Sequence, residues 1–510
     1  MKKLAAILLA ALLLVTAGCQ SSGGSNSGSS SSKAPANSSE QTAPTGDPVV
    51  LDWVFTKAGF DASPEPHVIL QAIEEATGVR LNQISPPMAS YGEQIAVLMA
   101  STDLPDVIKL NTISSMVDYA EQGALRPLDD LMDQMPSVVA SVSEKAFTTC
   151  SFNGSIYAVP CITSSHRLNV AYRKDWLDKL GLKVPETLDD FHDMLYAFTY
   201  NDPDGDGEQN TYGISGAAGG SSVGSTSWPF EMVTGAYGVV GACNGYFYVG
   251  DDGNLHPQAT NPSVKDALEV LNQWYQEGII DPEFIVMSGS EMQQRAYANA
   301  FGVALTWWTG AQSYENNMIK LDPTVDWADM GGPKGPDGTS ALRGVNEVDY
   351  PVCVLYNCEH PEAFAKVTEY CHTEIGMMTT YSGIEGVHWE KRSDGTYHTL
   401  PEFDNCSNWI QFHALYQNEW PLLQVQTYLL EGRLDSQKWD IITNAADGYV
   451  TESEVKYSAD LNSMVLQTFC KMVTGEIPVD NFESFCQEYL NNGGQEWADE
   501  VTTIYKSRNS

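Results

Sequence analysis

Tyr172-Arg173-Lys174-Asp175-Trp176-Leu177-Asp178-Lys179-Leu180-Gly181-Leu182 runs through Pro185-Glu186-Thr187 towards the acidic loop Asp202-Pro203-Asp204-Gly205-Asp206-Gly207-Glu208-Gln209-Asn210. Thr187 is a good helix cap, and Leu188, Phe191, Leu195 and Phe198 recur behind it at helical spacing. Arg173 and Asp175 are expected to pair structurally. The loop begins as the helix ends. Asp202, Asp204 and Asp206 take its first, third and fifth positions, Gly207 the sixth, the Glu208 carbonyl the seventh and Asn210 the ninth. Calcium, which takes about six to eight oxygen ligands, suits such a cage. The twelfth position, where a calcium sensor needs a bidentate Glu, is Gly213, and no helical pattern follows. The expectation is a structural Ca2+ loop; an acidic surface turn without metal is the alternative.

Outward from this stretch, the N-terminus speaks to the compartment. Lys2 and Lys3 precede an unbroken apolar run from Leu4 to Val15, followed by Thr16-Ala17-Gly18-Cys19. The run is shorter than the roughly 20 residues that span a bilayer, so residues 1–18 read as an export signal. The small residues before Cys19 resemble a bacterial lipoprotein lipobox, with Thr16 where leucine is commoner. That resemblance implies cleavage before Cys19 and lipidation of its thiol, with palmitate-class chains anchoring the protein at the extracytoplasmic face of the cell membrane. Residues 19–46 are rich in Ser, Gly, Asn, Ala and Pro and cannot bury enough apolar surface to fold. As a flexible linker they would reach about 30 Å on average.

The chain has 27 Lys and Arg against 66 Asp and Glu, a formal net charge of −39. That balance excludes the basic footprint that nucleic acid requires. Of ten cysteines, Cys19 is assigned to the anchor, and the other nine are scattered without a disulfide or CxxC spacing. They read as buried free thiols, with one or two disulfides left open.

The mature body from about Asp47 is too long for one core. Val49 to Phe55 reads as a buried strand, Glu93 to Ala100 as a helix and Val107 to Leu110 as a further strand, an alternation that suggests α/β layers. Ser263 is expected to cap a second helix carrying Leu268, Leu271 and Trp274, ended by Gly278.

With these segments in order, the chain resembles the family 1 extracellular solute-binding lipoproteins of bacterial ABC sugar importers, in their LipO-like branch. Besides the opening stretch, the resemblance is carried by Ala100 to Ile108, Gly154 to Pro160, Glu277 to Phe284, Gly383 to Trp389, and the tail from Thr474 through Gly494. It implies a two-lobed α/β, periplasmic-binding-protein-like (type II) fold with a hinge and an interlobe cleft. Lobe 1 would combine residues 47–171 with 338–395, and lobe 2 would combine 172–337 with 396–510. It implies a monomeric receptor that captures a carbohydrate, expected to be an oligosaccharide, and delivers it to ABC permease subunits with no catalysis. A peptide or other polar solute is the alternative ligand, and a surface glycoside hydrolase the alternative class.

Sugars offer flat C–H faces ringed by hydroxyls, so such a cleft wants aromatic platforms beside polar groups. In Val303-Ala304-Leu305-Thr306-Trp307-Trp308-Thr309-Gly310 a strand leads to paired aromatics and a breaker. Strand alternation would send one of Trp307 and Trp308 to the cleft and the other to the core. Trp228, Trp389 with Glu385, Asp349 with Tyr350, and Trp53 complete the candidate ligand residues, each with a packing role as its alternative. Gly220-Ser221-Ser222-Val223-Gly224 matches GxSxG but lacks the strand–turn–helix setting of a nucleophile elbow.

Overall fold

The computed structural model describes residues 48–54, 67–86, 91–162, 166–219, 228–344, 348–393, 395, 397–405 and 438–508. The leader, Cys19, the linker, the GxSxG segment and Cys406 therefore lie outside the described residues. The strands used below are β1 (Val49–Val54), β2 (Val79–Ile84), β3 (Val107–Lys109), β4 (Ala158–Ile162), β5 (Leu168–Arg173), β6 (Tyr212–Ile214), β7 (Phe301–Trp307), β8 (Trp327–Met330), β9 (Leu342–Arg343), β10 (Val348–Val354) and β11 (Ile441–Ile442).

Two sheets organise the chain. The first has the order β2-β1-β3-β10-β4, and the second β8-β5-β7-β6. In the first, β1 pairs in parallel with β2 and β3, and β10 runs antiparallel to both β3 and β4. In the second, β5 runs antiparallel to β7 and β8, and β6 parallel to β7. β5 and the first six residues of β7 are buried throughout, so both faces of these two strands are covered, with Asn169, Arg173 and Thr306 the buried polar exceptions among their apolar residues.

The strands expected near Val49 and Val107 are observed, and the expected helix near Glu93 spans Tyr91–Met99. Helix α1 (Leu188–Tyr200) starts at Thr187 with a full capping box: the Thr187 hydroxyl accepts the Asp190 N–H, and the Asp190 carboxylate accepts the Thr187 N–H. Its Phe191, Leu195 and Phe198 are fully buried, and Phe198 meets Trp176 edge-on at 5.5 Å. Each such aromatic contributes roughly 1.5–3 kcal/mol by leaving water.

Helix α2 (Ser263–Gln276) buries Leu268, Leu271 and Trp274 as expected, and Gly278 leaves it at φ 74°. Ser263 is not its cap, however. Pro262 precedes it in helical conformation, and the Asn261 side chain accepts the Ser263 N–H at 3.0 Å. With Pro262 in the cap position, Ser263 is the first helical residue and not the cap.

One core cluster surrounds the first sheet and includes Trp389, Tyr397 and Phe403; another surrounds the second sheet and includes Leu342 and residues from Ala446 to Val501. Leu342 joins the second because β9 pairs in parallel with β11. Near the expected crossings at 338 and 395, Leu342 thus packs with the second core, and Tyr397 and Phe403 with the first. The eight described cysteines other than those outside the described residues are free thiols, seven of them buried. Among the described residues, no helix is long and apolar enough to cross a membrane.

Candidate functional site

Strand directions define the site. β1, β2, β3 and β4 all end at the edge of the first sheet where β10 begins. β6, β7 and β8 end at the edge of the second sheet where β5 begins. β4 stops at Ile162 and β5 starts at Leu168, so these two edges are joined by one short crossing. Six residue steps span at most about 20 Å. Loops at strand C-terminal ends are where open α/β sheets bind ligands.

On the second sheet's edge sit Trp307 and Trp308, both half-buried. Strand alternation does not divide them, because β7 ends at Trp307 and Trp308 opens a turn. Trp307 lies opposite Leu168, with the Arg167 guanidinium 5.7 Å from its ring. Trp308 donates its backbone N–H to the Arg167 carbonyl at 2.9 Å. A third aromatic, Trp439, escaped sequence reasoning. It stands just before β11, and its half-buried ring lies on Gly331, just beyond the end of β8: a Cβ there would meet ring atoms at 2.6 Å. β8 and β7 are two strand spacings apart, about 10 Å. Trp307 and Trp439 both pack on the same core cluster. The Trp439 indole N–H is buried and makes no hydrogen bond among the described residues. Nothing around Lys438-Trp439-Asp440 formed a motif, and only its pairing with the crossing places it here.

On the first sheet's edge, Tyr350 is half-buried beside Cys161 at the end of β4, and the Lys109 ammonium lies 4.5 Å from its ring centre. Tyr91 donates its hydroxyl to the Lys109 carbonyl at 2.7 Å. The Asp349 side chain lies outside the described residues.

Three candidates are corrected by their burial. Trp53 has no exposed surface and packs 5.5 Å from Phe364. Trp228 is 1% exposed, meeting Phe230 and Phe469 edge-on at 5.6 and 5.5 Å. Trp389 is 4% exposed, donates its Nε1–H to the Gly383 carbonyl at 2.9 Å and stacks near Tyr397. A ring enclosed on all sides presents no face to a sugar, so these three act in packing here. Glu385 is exposed on the same turn, where Gly386 N–H bonds the Trp389 carbonyl, and it belongs to that turn and not to either edge.

The acidic loop folds as its spacing implies. Carboxylate oxygens of Asp202, Asp204 and Asp206 lie within 4.8 Å of one another. Gly205 and Gly207 take φ of 80° and 82°, which lets their N–H groups turn inward onto Asp202 Oδ1 at 2.9 and 3.3 Å. Asp206 accepts the Glu208 N–H and the Asn210 amide. The Asp204 Oδ1 is buried with no hydrogen-bond partner among the described residues. Burial first, then the neighbouring Asp206 charge, push the Asp204 carboxyl above its usual range. A buried, unpartnered carboxylate oxygen beside two others fits a hard divalent cation. Gly213, at the twelfth position, is in β6, so no second helix follows.

The far ends of two crossings are tied together. β9 and β11 form a parallel pair, and Glu231 accepts the Arg343 N–H at 3.0 Å and the Gly241 N–H at 3.1 Å. The Arg343 Nε lies 3.5 Å from the same carboxylate, and both side chains are buried. Tyr246 donates its hydroxyl to the Gly344 carbonyl at 2.8 Å.

Two α/β sheets whose strand ends are joined by a short crossing, with aromatics at those edges, are the architecture of a solute receptor. Residues 63–370 match the bacterial extracellular solute-binding protein family. This chain is a member of that family. Among its relatives are the lipoprotein LipO of Bacillus subtilis (26% identical over 88% of this chain and 89% of that one) and the polygalacturonan/rhamnogalacturonan-binding protein YtcQ of the same organism (24% over 92% and 94%). The solved structure of the Streptococcus pneumoniae ABC-transporter substrate-binding protein FusA with kestose superposes with a TM-score of 0.70 at 19% identity, covering 90% of this chain and 99% of that one. A solute-binding protein from Bifidobacterium longum infantis, associated with an HMO-binding ABC transporter, gives 0.71 at 16% identity, covering 90% and 98%. The fold of this family member is therefore the two-lobed α/β solute-binding fold, and its role is to bind a solute outside the cytoplasm.

Proposed function

We propose that this receptor captures a carbohydrate, an oligosaccharide, between its two sheet edges and hands it unchanged to the permease of an ABC transporter. The observation that carries the reading is the set of half-exposed rings at one edge: Trp307, Trp308 and Trp439 can stack on sugar faces while Tyr350 closes from the other lobe. LipO, YtcQ and FusA, by their names, are a lipoprotein, a polysaccharide-binding protein and a fructooligosaccharide transporter component, and they support the same reading. Lobe 1 would hold residues 47–162 with 348–403, and lobe 2 residues 168–344 with 438–508. A ligand touching both lobes binds the closed state better and so shifts the hinge equilibrium.

Cys19 carries the lipid and residues 20–46 the tether, so a monomer works at the outer face of the membrane. Asp202, Asp204, Asp206, the Glu208 carbonyl and Asn210 hold a calcium ion that ties α1 to β6; it takes no part in ligand chemistry.

Calorimetric titration against neutral and acidic oligosaccharides and against peptides tests the reading. Saturable binding of a sugar recovered intact by mass spectrometry is expected. Binding of peptides alone removes the carbohydrate assignment, and a cleaved sugar removes the receptor assignment.

A further inference from the structure

Helix α3 (Gly310–Met318) begins at the edge where β7 ends, directly after Trp307, Trp308 and Thr309. Its cap residue, Thr309, has φ −98° and ψ 1°, and its side chain makes no capping hydrogen bond. Trp307, Trp308, Thr309, Gly310 and Gln312 are half-buried, whereas Ala311 is buried, so the turn reaches the surface at its first residue. A helix start of this kind is electropositive and presents donors.

A second feature points into the same turn. Thr306 is only 7% exposed, and its Oγ1 is buried with no hydrogen-bond partner among the described residues. That hydroxyl lies 2.4 Å from where a Cβ on Gly310 would stand, so glycine is needed there and the hydroxyl sits against the first residue of α3. A buried hydroxyl left unmade is costly, and an acceptor arriving at the helix start would satisfy it. The Arg167 guanidinium, over the Trp307 ring, adds positive charge to the same edge.

We infer that the start of α3 binds an anionic group carried by the ligand: a sugar carboxylate, or a sulfate or phosphate ester. The inference rests on the carbohydrate reading above and narrows it to acidic sugars. The chain's net charge of −39 opposes anions at long range, but beyond about 8 Å that repulsion is screened at physiological salt. Donors in contact with the anion are not screened in this way. The sugar ring would lie on Trp307 or Trp308 with its acidic substituent directed to the N–H groups of Gly310 and Gln312 and to the Thr306 hydroxyl.

The test is calorimetry with a neutral oligosaccharide, its uronate counterpart and its sulfated or phosphorylated counterpart. At least one anionic form should bind about tenfold tighter than the neutral one. Whichever anion is preferred identifies the group. Thr309→Asp places a fixed carboxylate at the helix start; it should raise the melting temperature and bring the anionic-to-neutral affinity ratio close to one. Thr306→Val keeps the shape, removes the hydroxyl and should reduce the ratio about threefold. Equal affinity for neutral and anionic sugars overturns this inference and leaves the carbohydrate reading standing, as does a ratio that Thr309→Asp leaves untouched. Binding of none of the sugars overturns both.

Discussion

Trp307, Trp308 and Trp439 are half-buried where Trp53, Trp228 and Trp389 are buried, and under the proposed function that difference separates ligand groups from core. Trp307→Ala or Trp439→Ala should weaken sugar binding about tenfold or more in calorimetry while shifting the melting temperature little. Trp53→Ala should do the reverse, losing about 3–5 kcal/mol of stability in denaturant melts. The sequence showed that Trp307 and Trp308 follow a strand. It could not show where that strand ends, and the alternation argument failed at that residue. Trp439 was illegible because its place depends on β11 pairing with a strand about a hundred residues earlier. Asp204 supplies a pH test. Its carboxyl is held above the usual 3.8, mainly by burial. A carboxyl raised on folding favours the folded chain when protonated, and that advantage is lost as pH rises through its folded value. Calcium offsets the resulting repulsion, so its stabilisation should be full at neutral pH and shrink as protons reclaim Asp204 on acidification. With calcium a hundredfold above Kd the neutral-pH gain is about 2.7 kcal/mol. Equal melting temperatures with calcium and with chelator at pH 7 would refute the metal assignment.

Elements were the most legible scale. Thr187 could be named as a cap because a short side-chain oxygen before a periodic apolar run is a local signal, and the capping box is there. Thr187→Ala should cost about 1 kcal/mol, read as a lower midpoint in urea. Ser263 misled because it is already the first helical residue, with Pro262 in the cap position. Arg173 and Asp175 do pair, at 2.6 Å. Glu231 and Arg343, by contrast, gave no signal: they are over a hundred residues apart and meet only where β9 joins β11. Burial alone pushes the Glu231 carboxyl up, against the pull of Arg343 and two backbone N–H groups. Breaking such a pair leaves a buried charge, so Glu231→Ala should lose about 3–5 kcal/mol, and a double change with Arg343→Met should recover part of it.

At the scale of the molecule, the order of short motifs pointed to the two-lobed receptor fold, and the matched family and the superposed structures agree. The exact crossings are not legible in sequence, because a short strand such as β9, packed with the second core just before the chain returns to the first sheet, looks like the start of the next lobe. Two lobes around one cleft predict that ligand lowers the free energy of a closed arrangement with no covalent change. Small-angle X-ray scattering through a titration with the tightest-binding oligosaccharide measures this directly. The account predicts a smaller radius of gyration that saturates at one sugar per chain, with the sugar recovered whole. A scattering profile that stays the same at saturation, or a sugar returned in pieces, would contradict it.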